Sequence, residues 1–285
     1  AWLQTTLVED NRPFIERDPQ AAADKFRKMS VDPYAFLRGT AAQFARDFSQ
    51  PGPWLVPTAY GSPASSDVML VGDAHLENVG SFRASDGSVF LGWSDFDAFF
   101  YGPYFFDVRR LAVAWAVAGD MAFNDVSPVA AVVEACARGY VEEIGRLAAD
   151  GEPLSVGLGE LASDLLERAV EDGEAAEALD EYTRLDDGRR GMFFGDVETP
   201  GRGSDGVAFP TDTTRPVSDA ERRLVERIVT AYLATTEPFY EWNDASSRIL
   251  GISRRIGAGV GSYAVQRYYV LLEGPSSDPD DDVLL

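Results

Sequence analysis

Two short acidic loops, each following an apolar run, carry the residue types best suited to chemistry. The first loop contains Asp73 and Asn78, five residues apart, and the second contains Asp95. An Asp and an Asn on one loop can point into the same cleft, where the carboxylate can accept a proton and the amide oxygen can bind a hard cation. A carboxylate from a neighbouring strand, such as that of Asp95, would be the stronger anionic ligand. Because Mg²⁺ prefers such oxygen ligands together with substrate phosphates, these residues indicate a magnesium-phosphate site.

Each of these residues also has a structural interpretation, since Asp and Asn often satisfy backbone groups in turns at strand ends. His75, the only histidine, could be a lone metal ligand or a base, and a hydrogen-bonded structural role inside the loop is the interpretation we favour. The Gly-Asp-x-His start of the loop is similar to that of metallophosphoesterases. That chemistry needs several further histidine ligands, so the single histidine excludes it.

Two apolar runs predict the strands that place these loops. Residues 67–71 form a short apolar run that enters Gly72-Asp73, after a loop-like stretch at 52–66 rich in Pro, Gly and Ser. Residues 89–93 follow the turn signal Ser-Asp-Gly and run into the segment 94–97. We expect the two strands to lie close together, so that Asp73, Asn78 and Asp95 surround one cleft beside a mainly helical lobe.

Helix-start signals mark several segments around the strands. Asp18-Pro19 and Asp32-Pro33 each place a capping carboxylate before a proline, which predicts helices to about residues 29 and 48. A capping box at Ser218 to Glu221 predicts another helix. The remaining helices are expected from apolar spacing, at 105–121, 127–149 and around 158–185, with the stretch from there to 215 predicted as loop.

A glycine-rich segment lies between two β-rich flanks near the end of the chain. It contains Gly257, Gly259 and Gly261, followed by Ser262 and the β-like run 266–273. Glycines let backbone amides approach phosphate oxygens, whereas the same pattern can also be only a flexible hairpin turn. We favour the phosphate-binding interpretation.

Composition excludes some classes of partner and names none. The chain has 47 acidic and 25 basic residues and a net charge of -22, which disfavours nucleic acid and anionic membrane surfaces as partners. The same acidity can simply be a device for solubility. Cys136 is the only cysteine, so the chain can form no intrachain disulfide and no cysteine-based zinc site, and its helical apolar context predicts a core position.

Location is indicated only weakly. The longest apolar stretch, 111–119, is too short to cross a bilayer, so no membrane anchor is expected from it. The sequence begins without methionine, and a removed signal peptide is one explanation. A cytoplasmic location is our expectation, with that alternative open.

Three motifs resemble those of known phosphotransferases. Asp73-x-His75-x-x-Asn78 resembles the catalytic loop of aminoglycoside and choline kinase-like enzymes, and Asp95-Phe-Asp97 resembles their metal-binding strand end. The segment 107–112 resembles the Asp-Leu-Ala helix start of the same enzymes. More closely, four segments are similar to the uncharacterised bacterial family DUF2252: residues 34–40, 72–80, 94–103 and 257–262.

The resemblance implies an α+β, protein-kinase-like fold with a mainly helical catalytic lobe. The glycine-rich β-hairpin follows the catalytic loop, whereas in ordinary kinases it precedes it, so the implied order of the lobes is circularly permuted. The expected regions are an N-terminal helical segment at 1–66, a catalytic region at 67–240, and the hairpin of a truncated nucleotide-binding lobe at 241–285.

The resemblance also implies roles for the site residues. Asp73 would be the catalytic base and His75 a candidate catalytic neighbour. Asn78 and Asp95 would hold Mg²⁺ across the phosphates of ATP, with Asp97 a possible second ligand. Two further roles are implied: Asp107 would brace the catalytic loop, and the phosphates would be covered by Gly257, Gly259, Gly261 and Ser262.

The implied function is an ATP- and Mg-dependent phosphotransferase with an unknown acceptor, such as a small hydroxylated or amine-bearing metabolite, an antibiotic-like molecule or a protein side chain. A nucleotide-binding pseudokinase or interaction module without turnover is the alternative, and nucleotidyl transfer could use the same metal ligands.

The expected nucleotide lobe lacks one component. Kinases place a phosphate-binding lysine on the strand after the hairpin, and this chain has no lysine after Lys28. Three explanations are open: truncation before that strand, use of an arginine, or impaired catalysis. We expect the natural protein to continue past Leu285 into a strand that carries a lysine.

Overall fold

The computed structural model describes residues 2–49, 67–83, 89–123, 126–151, 174–236 and 248–285. The predicted loop at 52–66 and most of the helix predicted around 158–185 lie outside these residues. Helices and strands both contribute substantially, which confirms the α+β class. The chain divides into two compact units, Ala1–Pro13 with Met29–Glu171, and Phe14–Lys28 with Asp172–Leu285. The region boundaries predicted at 66 and 240 stay a prediction.

The first unit begins with short helices. Helices α1 (Trp2–Asp10), α4 (Pro33–Arg38) and α5 (Ala41–Ser49) belong to it, and α2 (Arg12–Arg17) spans its boundary. The carboxylate of Asp32 accepts a hydrogen bond of 2.7 Å from the Ala35 amide, which confirms the predicted cap. The prediction of a single helix from Asp32 to about residue 48 is wrong, because the structure has two helices there. The helical stretch is interrupted at Thr40. The Thr40 hydroxyl donates to the Phe36 carbonyl at 2.8 Å and so satisfies one of the last carbonyls of α4.

Two antiparallel strand pairs follow. Strand β1 (Asp67–Leu70) pairs with β4 (Phe100–Pro103), and β2 (Val79–Arg83) pairs with β3 (Val89–Trp93). Both predicted strands are therefore confirmed, although they lie in different strand pairs. Leu70 is buried at the end of β1, where the chain enters the first acidic loop.

Helices α6 (Phe105–Ala122) and α7 (Val126–Asp150) follow in the first unit and confirm the helices predicted at 105–121 and 127–149. They pack along each other, and at Gly119 a side-chain Cβ would lie only 3.2 Å from a methyl group of Val129, so this glycine permits close packing of the helices. In the described part of the chain, no helix is long and apolar enough to cross a membrane.

The described residues of the second unit form a five-stranded antiparallel sheet and three α-helices. The helices are α3 (Pro19–Met29, of which Met29 falls in the first unit), α8 (Glu174–Tyr182) and α9 (Asp219–Thr236). The order of strands across the sheet is β13-β12-β11-β10-β7. Their bounds are β7 (Gly195–Asp196), β10 (Thr213–Pro216), β11 (Ile249–Ile256), β12 (Arg267–Leu272) and β13 (Val283–Leu284).

Helix α9 covers one face of this sheet. The predicted capping box is confirmed, because the Ser218 amide and hydroxyl contact the Glu221 carboxylate at 2.9 and 2.7 Å. Apolar side chains at helical spacing on α9 pack against alternating positions of β11 and β12, and full burial of one such side chain stabilises a fold by about 1.5–3 kcal/mol. The buried cluster consists of Val225, Val229, Leu233, Ile252, Val270 and Leu272.

The prediction of a loop from about residue 186 to residue 215 is wrong, because the structure has several short strands in this stretch. Strands β5 (Thr183–Asp186) and β6 (Arg189–Met192) form a hairpin whose turn residues Asp187 and Gly188 both have positive φ, of 46° and 73°. Asp-Gly is a known sequence signal for such a two-residue turn. Strands β8 (Gly201–Arg202) and β9 (Ala208–Phe209) form a second hairpin.

Candidate functional site

The first acidic loop leaves β1 through a residue that must be glycine. Gly72 has φ 84°, and a Cβ built on it would lie 2.0 Å from the carbonyl oxygen of Ala98. Any side chain would therefore collide with the segment after β3 as well as strain the backbone. The loop continues through Asp73 and His75 into a 3₁₀ turn, Leu76–Asn78.

Asp107 fixes the start of this loop. From the first turn of α6, its carboxylate accepts hydrogen bonds from the Val71 amide at 2.7 Å and the Gly72 amide at 3.0 Å. A carboxylate with two such bonds holds both peptide groups in one orientation. This geometry corresponds to the bracing role that the resemblance implied for Asp107.

Asp73 is held by a buried arginine that sequence reasoning missed. Arg110 is 1% exposed, and its Nε donates to Asp73 Oδ1 at 2.7 Å. The same guanidinium donates to the Leu37 carbonyl at 2.7 Å and lies 5.2 Å from the ring centre of Phe44. The pKa of Asp73 is nevertheless raised, because burial of the carboxylate outweighs the opposing effect of Arg110, and the charge of Asp95 adds to the increase.

Backbone and side-chain contacts bring the two acidic loops together. Asn78 is buried, its Nδ2 donates to the Asp73 carbonyl at 3.0 Å, and its own carbonyl accepts a 2.8 Å bond from the Ser94 amide. Asp95 is the next residue after Ser94, and its carboxylate accepts a hydrogen bond of 3.1 Å from the Asp97 amide. Asp73, Asn78 and Asp95 are thus grouped within the first unit. Asp97 is exposed beside them.

His75 lies buried in the same loop. It is 3% exposed, its Nε2 is 3.9 Å from Asp73 Oδ2, and its ring meets that of Tyr34 edge-on at 6.3 Å. Among the described residues, its Nδ1 has no hydrogen-bond partner. Burial lowers the pKa of His75 to about 4, and the charges of Arg38 and Arg110 contribute in the same direction. The imidazole is therefore neutral at physiological pH.

The depressed pKa of His75 predicts acid sensitivity with a defined sign. An unfolded histidine has a pKa of about 6.5, so the unfolded chain takes up a proton that the folded chain refuses. Stability from the neutral imidazole is full above pH 6.5, and we expect it to fall by up to about 3 kcal/mol as the pH decreases towards 4. Urea unfolding of the wild type and of His75→Gln between pH 7 and 5 measures this loss.

The chain has no other histidine, so the comparison isolates one group. The raised pKa of Asp73 makes the folded protein more stable as the pH decreases, in the wild type and in the variant alike. This contribution therefore largely cancels when the two stabilities are compared. An equal decline of stability in the wild type and in His75→Gln would contradict the lowered pKa of His75.

The donor set suits Mg²⁺ only in combination with a phosphate. In the described part of the chain, no group of three or more His, Cys, Asp or Glu side chains is placed to hold a metal ion. Mg²⁺ is commonly bound by one or two carboxylates, with phosphate oxygens and water completing its six ligands. Asp95, Asn78 Oδ1 and Asp97 fit that pattern, since Nδ2 of Asn78 is already engaged.

An apolar pocket of about 390 Å³ adjoins the loop in the first unit. Ala74, inside the acidic loop, forms part of its wall, as does the carboxyl-bearing Asp107. Cys136 also lines the pocket and is only partly buried, so the core position predicted for it is wrong. The other lining residues include Val68, Leu70, Trp93, Tyr104, Leu111 and Tyr140.

The glycine-rich segment belongs to the second unit, where it connects β11 to β12. Gly257 and Gly259 have φ of 96° and 70°, conformations that favour glycine. At Gly257 a Cβ would also lie 2.5 Å from the Pro210 carbonyl oxygen. Gly261 and Ser262 follow in a turn. The sequence-predicted site residues are thus divided between two units, each described by itself.

Comparison with known protein families identifies a match over most of the chain. A family profile described as "Uncharacterized protein conserved in bacteria (DUF2252)" matches residues 17–285. No curated protein and no solved structure gives a significant match.

Proposed function

We propose that this chain, which belongs to the DUF2252 family, is an ATP- and Mg-dependent phosphotransferase with a protein-kinase-like fold. The observation that carries the proposal is the grouping of Asp73, Asn78 and Asp95 on two loops joined by the Ser94 to Asn78 hydrogen bond. A buried carboxylate beside amide and carboxylate oxygens supplies a proton acceptor and a cation site in one place.

Asp95 and the Oδ1 atom of Asn78 would hold the magnesium ion, with Asp97 beside them. The ion supplies positive charge that offsets the charge of the phosphate oxygens. In the second unit, Gly257, Gly259, Gly261 and Ser262 would face the phosphates of the nucleotide.

Asp73 would act on the acceptor. As the acceptor oxygen bonds to the γ-phosphorus and the bond from that phosphorus to the β–γ bridging oxygen breaks, the acceptor proton passes to Asp73 Oδ2, and ADP leaves. Oδ1 is engaged by Arg110, which fixes the carboxylate and leaves Oδ2 for this proton. The raised pKa of Asp73 favours proton acceptance, because a base works best when its pKa approaches the working pH.

The apolar pocket supports a small acceptor. Its volume of about 390 Å³ falls within the range of small-molecule sites, and Ala74 links its wall directly to the loop that carries Asp73. Aromatic side chains, including Trp93 and Tyr140, line it. An acceptor with an apolar body and one hydroxyl or amine group fits this lining.

The ion pair between Asp73 and Arg110 favours one alternative, a nucleotide-binding protein without turnover. The charge and hydrogen bond of Arg110 oppose the burial-driven increase in the pKa of Asp73, which limits its strength as a base. The alternative predicts Mg-dependent nucleotide binding with no transfer to any acceptor.

Calorimetry with ATP, in the presence and absence of Mg²⁺, tests the proposal on the whole chain. We expect binding that depends on Mg²⁺, followed by ADP release when hydroxylated or amine-bearing acceptors are added. Because a strongly acidic protein repels phosphate, removal of Mg²⁺ should weaken ATP affinity at least about tenfold. Absence of ATP binding under both conditions would contradict the phosphotransferase and the pseudokinase alike.

A further inference from the structure

Two tyrosine side chains give the apolar pocket of the first unit a polar part. Tyr140 on α7 and Tyr104, which immediately precedes α6, both line this pocket. Their rings are parallel within 2°, and the ring centres are 6.3 Å apart. Cys136 lies one helical turn before Tyr140 and lines the pocket as well. Two phenol groups are therefore neighbours in a wall that is otherwise mainly apolar.

Neither phenol hydroxyl is engaged by the protein. Within the part of the chain that the structure describes, the hydroxyls of Tyr104 and Tyr140 make no hydrogen bond. Burial raises the pKa of Tyr140, and the nearby Tyr104 and Asp107 add to the increase, so this phenol stays protonated. A ligand that covers the two hydroxyls without bonding to them leaves them unpaired, and that loss opposes its binding.

The charges of the pocket disfavour an ionic partner for these hydroxyls. Asp107 forms part of the wall and repels an anion, and none of the described lining residues is basic. An ammonium group finds no free carboxylate oxygen, because both oxygens of Asp107 already accept backbone hydrogen bonds, from the Val71 and Gly72 amides. An uncharged oxygen group suits the site, since a phenol hydroxyl both donates and accepts.

We propose that the pocket takes an acceptor with an aromatic body and two polar groups, and that Tyr104 and Tyr140 bind the second group, an uncharged hydroxyl or carbonyl. The inference rests on the proposed function, because the first group is the hydroxyl or amine presented to Asp73. The aromatic body packs against the rings of the wall, which include Trp93. The two tyrosine hydroxyls thus determine which acceptors are bound.

A series of para-substituted benzyl alcohols tests the proposal without nucleotide. The four probes are benzyl alcohol and its derivatives with a second hydroxymethyl, a carboxylate or an aminomethyl group, and ligand-observed NMR on the whole chain gives their dissociation constants. We expect 1,4-benzenedimethanol to bind about fivefold more tightly than benzyl alcohol, the value of one hydrogen bond. The carboxylate probe should bind at least about tenfold more weakly than 1,4-benzenedimethanol.

Two results of this series contradict the proposal. Equal affinity for benzyl alcohol and 1,4-benzenedimethanol would show that the hydroxyls bind no second group. Tighter binding of the carboxylate or the aminomethyl probe than of 1,4-benzenedimethanol would show that the second group is charged.

Tyr140→Phe removes one hydroxyl and keeps the ring. It should abolish the advantage of 1,4-benzenedimethanol and change the affinity for benzyl alcohol less than about twofold. Tyr104→Phe should act in the same direction. Tyr232→Phe is the matched control, because Tyr232 is 52% exposed on α9 in the second unit, and it should change neither affinity. An undiminished advantage in both Tyr104→Phe and Tyr140→Phe would overturn the proposal.

Cys136 reports whether the probes occupy this pocket. It is the only cysteine of the chain, so its alkylation by iodoacetamide gives a single rate. The reaction is followed at about pH 9, because burial raises the pKa of the thiol. At half occupancy by 1,4-benzenedimethanol the rate should fall about twofold, since only the free fraction is alkylated. An unchanged rate would place the probe elsewhere and overturn the proposal.

The outcomes separate this inference from the proposed function. Failure of the probe series with Mg-dependent ATP binding intact overturns the inference and leaves the phosphotransferase standing. Probe binding that depends on the two tyrosine hydroxyls, without any binding of ATP, supports the pocket and contradicts the phosphotransferase. Binding of neither the probes nor ATP overturns both.

Discussion

Asp73→Asn should reduce phosphoryl transfer at least about 100-fold while changing MgATP affinity less than about threefold. The amide oxygen of asparagine can still accept the Arg110 hydrogen bond, so the loop should keep its geometry. The amide cannot take up the acceptor proton at Oδ2. The loss of transfer is measured as the rate at saturating MgATP, with an acceptor identified by ADP release. Calorimetry measures the MgATP affinity.

Asp95→Ala should fail in a different way. It removes a carboxylate ligand, so Mg-dependent ATP binding itself should weaken, and raising the Mg²⁺ concentration should recover part of it. Asp120→Ala serves as the matched control, because Asp120 is an exposed carboxylate near the end of α6 with no role in the proposed site. Full transfer activity in both Asp73→Asn and Asp95→Ala would show that these roles are wrong.

Arg110→Met should destabilise the protein by about 3–5 kcal/mol, the usual cost of removing one partner from a buried ion pair. The carboxylate of Asp73 would lose its buried counter-charge, and the Leu37 carbonyl would lose a donor. Urea denaturation at pH 7 measures the change.

Arg138→Met is the matched control for Arg110→Met. Arg138 is an exposed arginine on α7, and its loss should cost less than about 0.5 kcal/mol. Combining Arg110→Met with Asp73→Asn should recover part of the lost stability, because no buried charge is then left unpaired. Equal effects of the two arginine variants would show that the Asp73–Arg110 pair is not a major contributor.

Local signals in the sequence predicted helix starts and two of the strands well. Asp32 and Ser218 cap the helices they were expected to cap, because capping depends on residues within one turn of each other. Strand β3 occupies the predicted residues 89–93, since its apolar run is bounded by a turn signal. The kinase-like arrangement of these elements remains a proposal.

Features that depend on distant residues were missed. Strand β10 has only four residues and pairs with β11, so nothing near it in sequence announces a strand. Arg110 was overlooked because arginine is normally exposed, and its partner Asp73 lies 37 residues upstream. Lys28 was noted only as the last lysine, since its contact with Gly257 spans 229 residues.

The second unit is discontinuous in sequence, built from residues 14–28 and 172–285, and this has a consequence for biosynthesis. During translation at about 5–20 residues per second, helix α3 leaves the ribosome on the order of 10 to 50 s before the last strand does. Until then, Arg17 and Lys28 have none of their contacts with the loop between β11 and β12. We therefore expect nascent chains to present an incomplete unit throughout elongation, and a gene fragment encoding residues 172–285 alone would lack α3 and its contacts with the loop between β11 and β12.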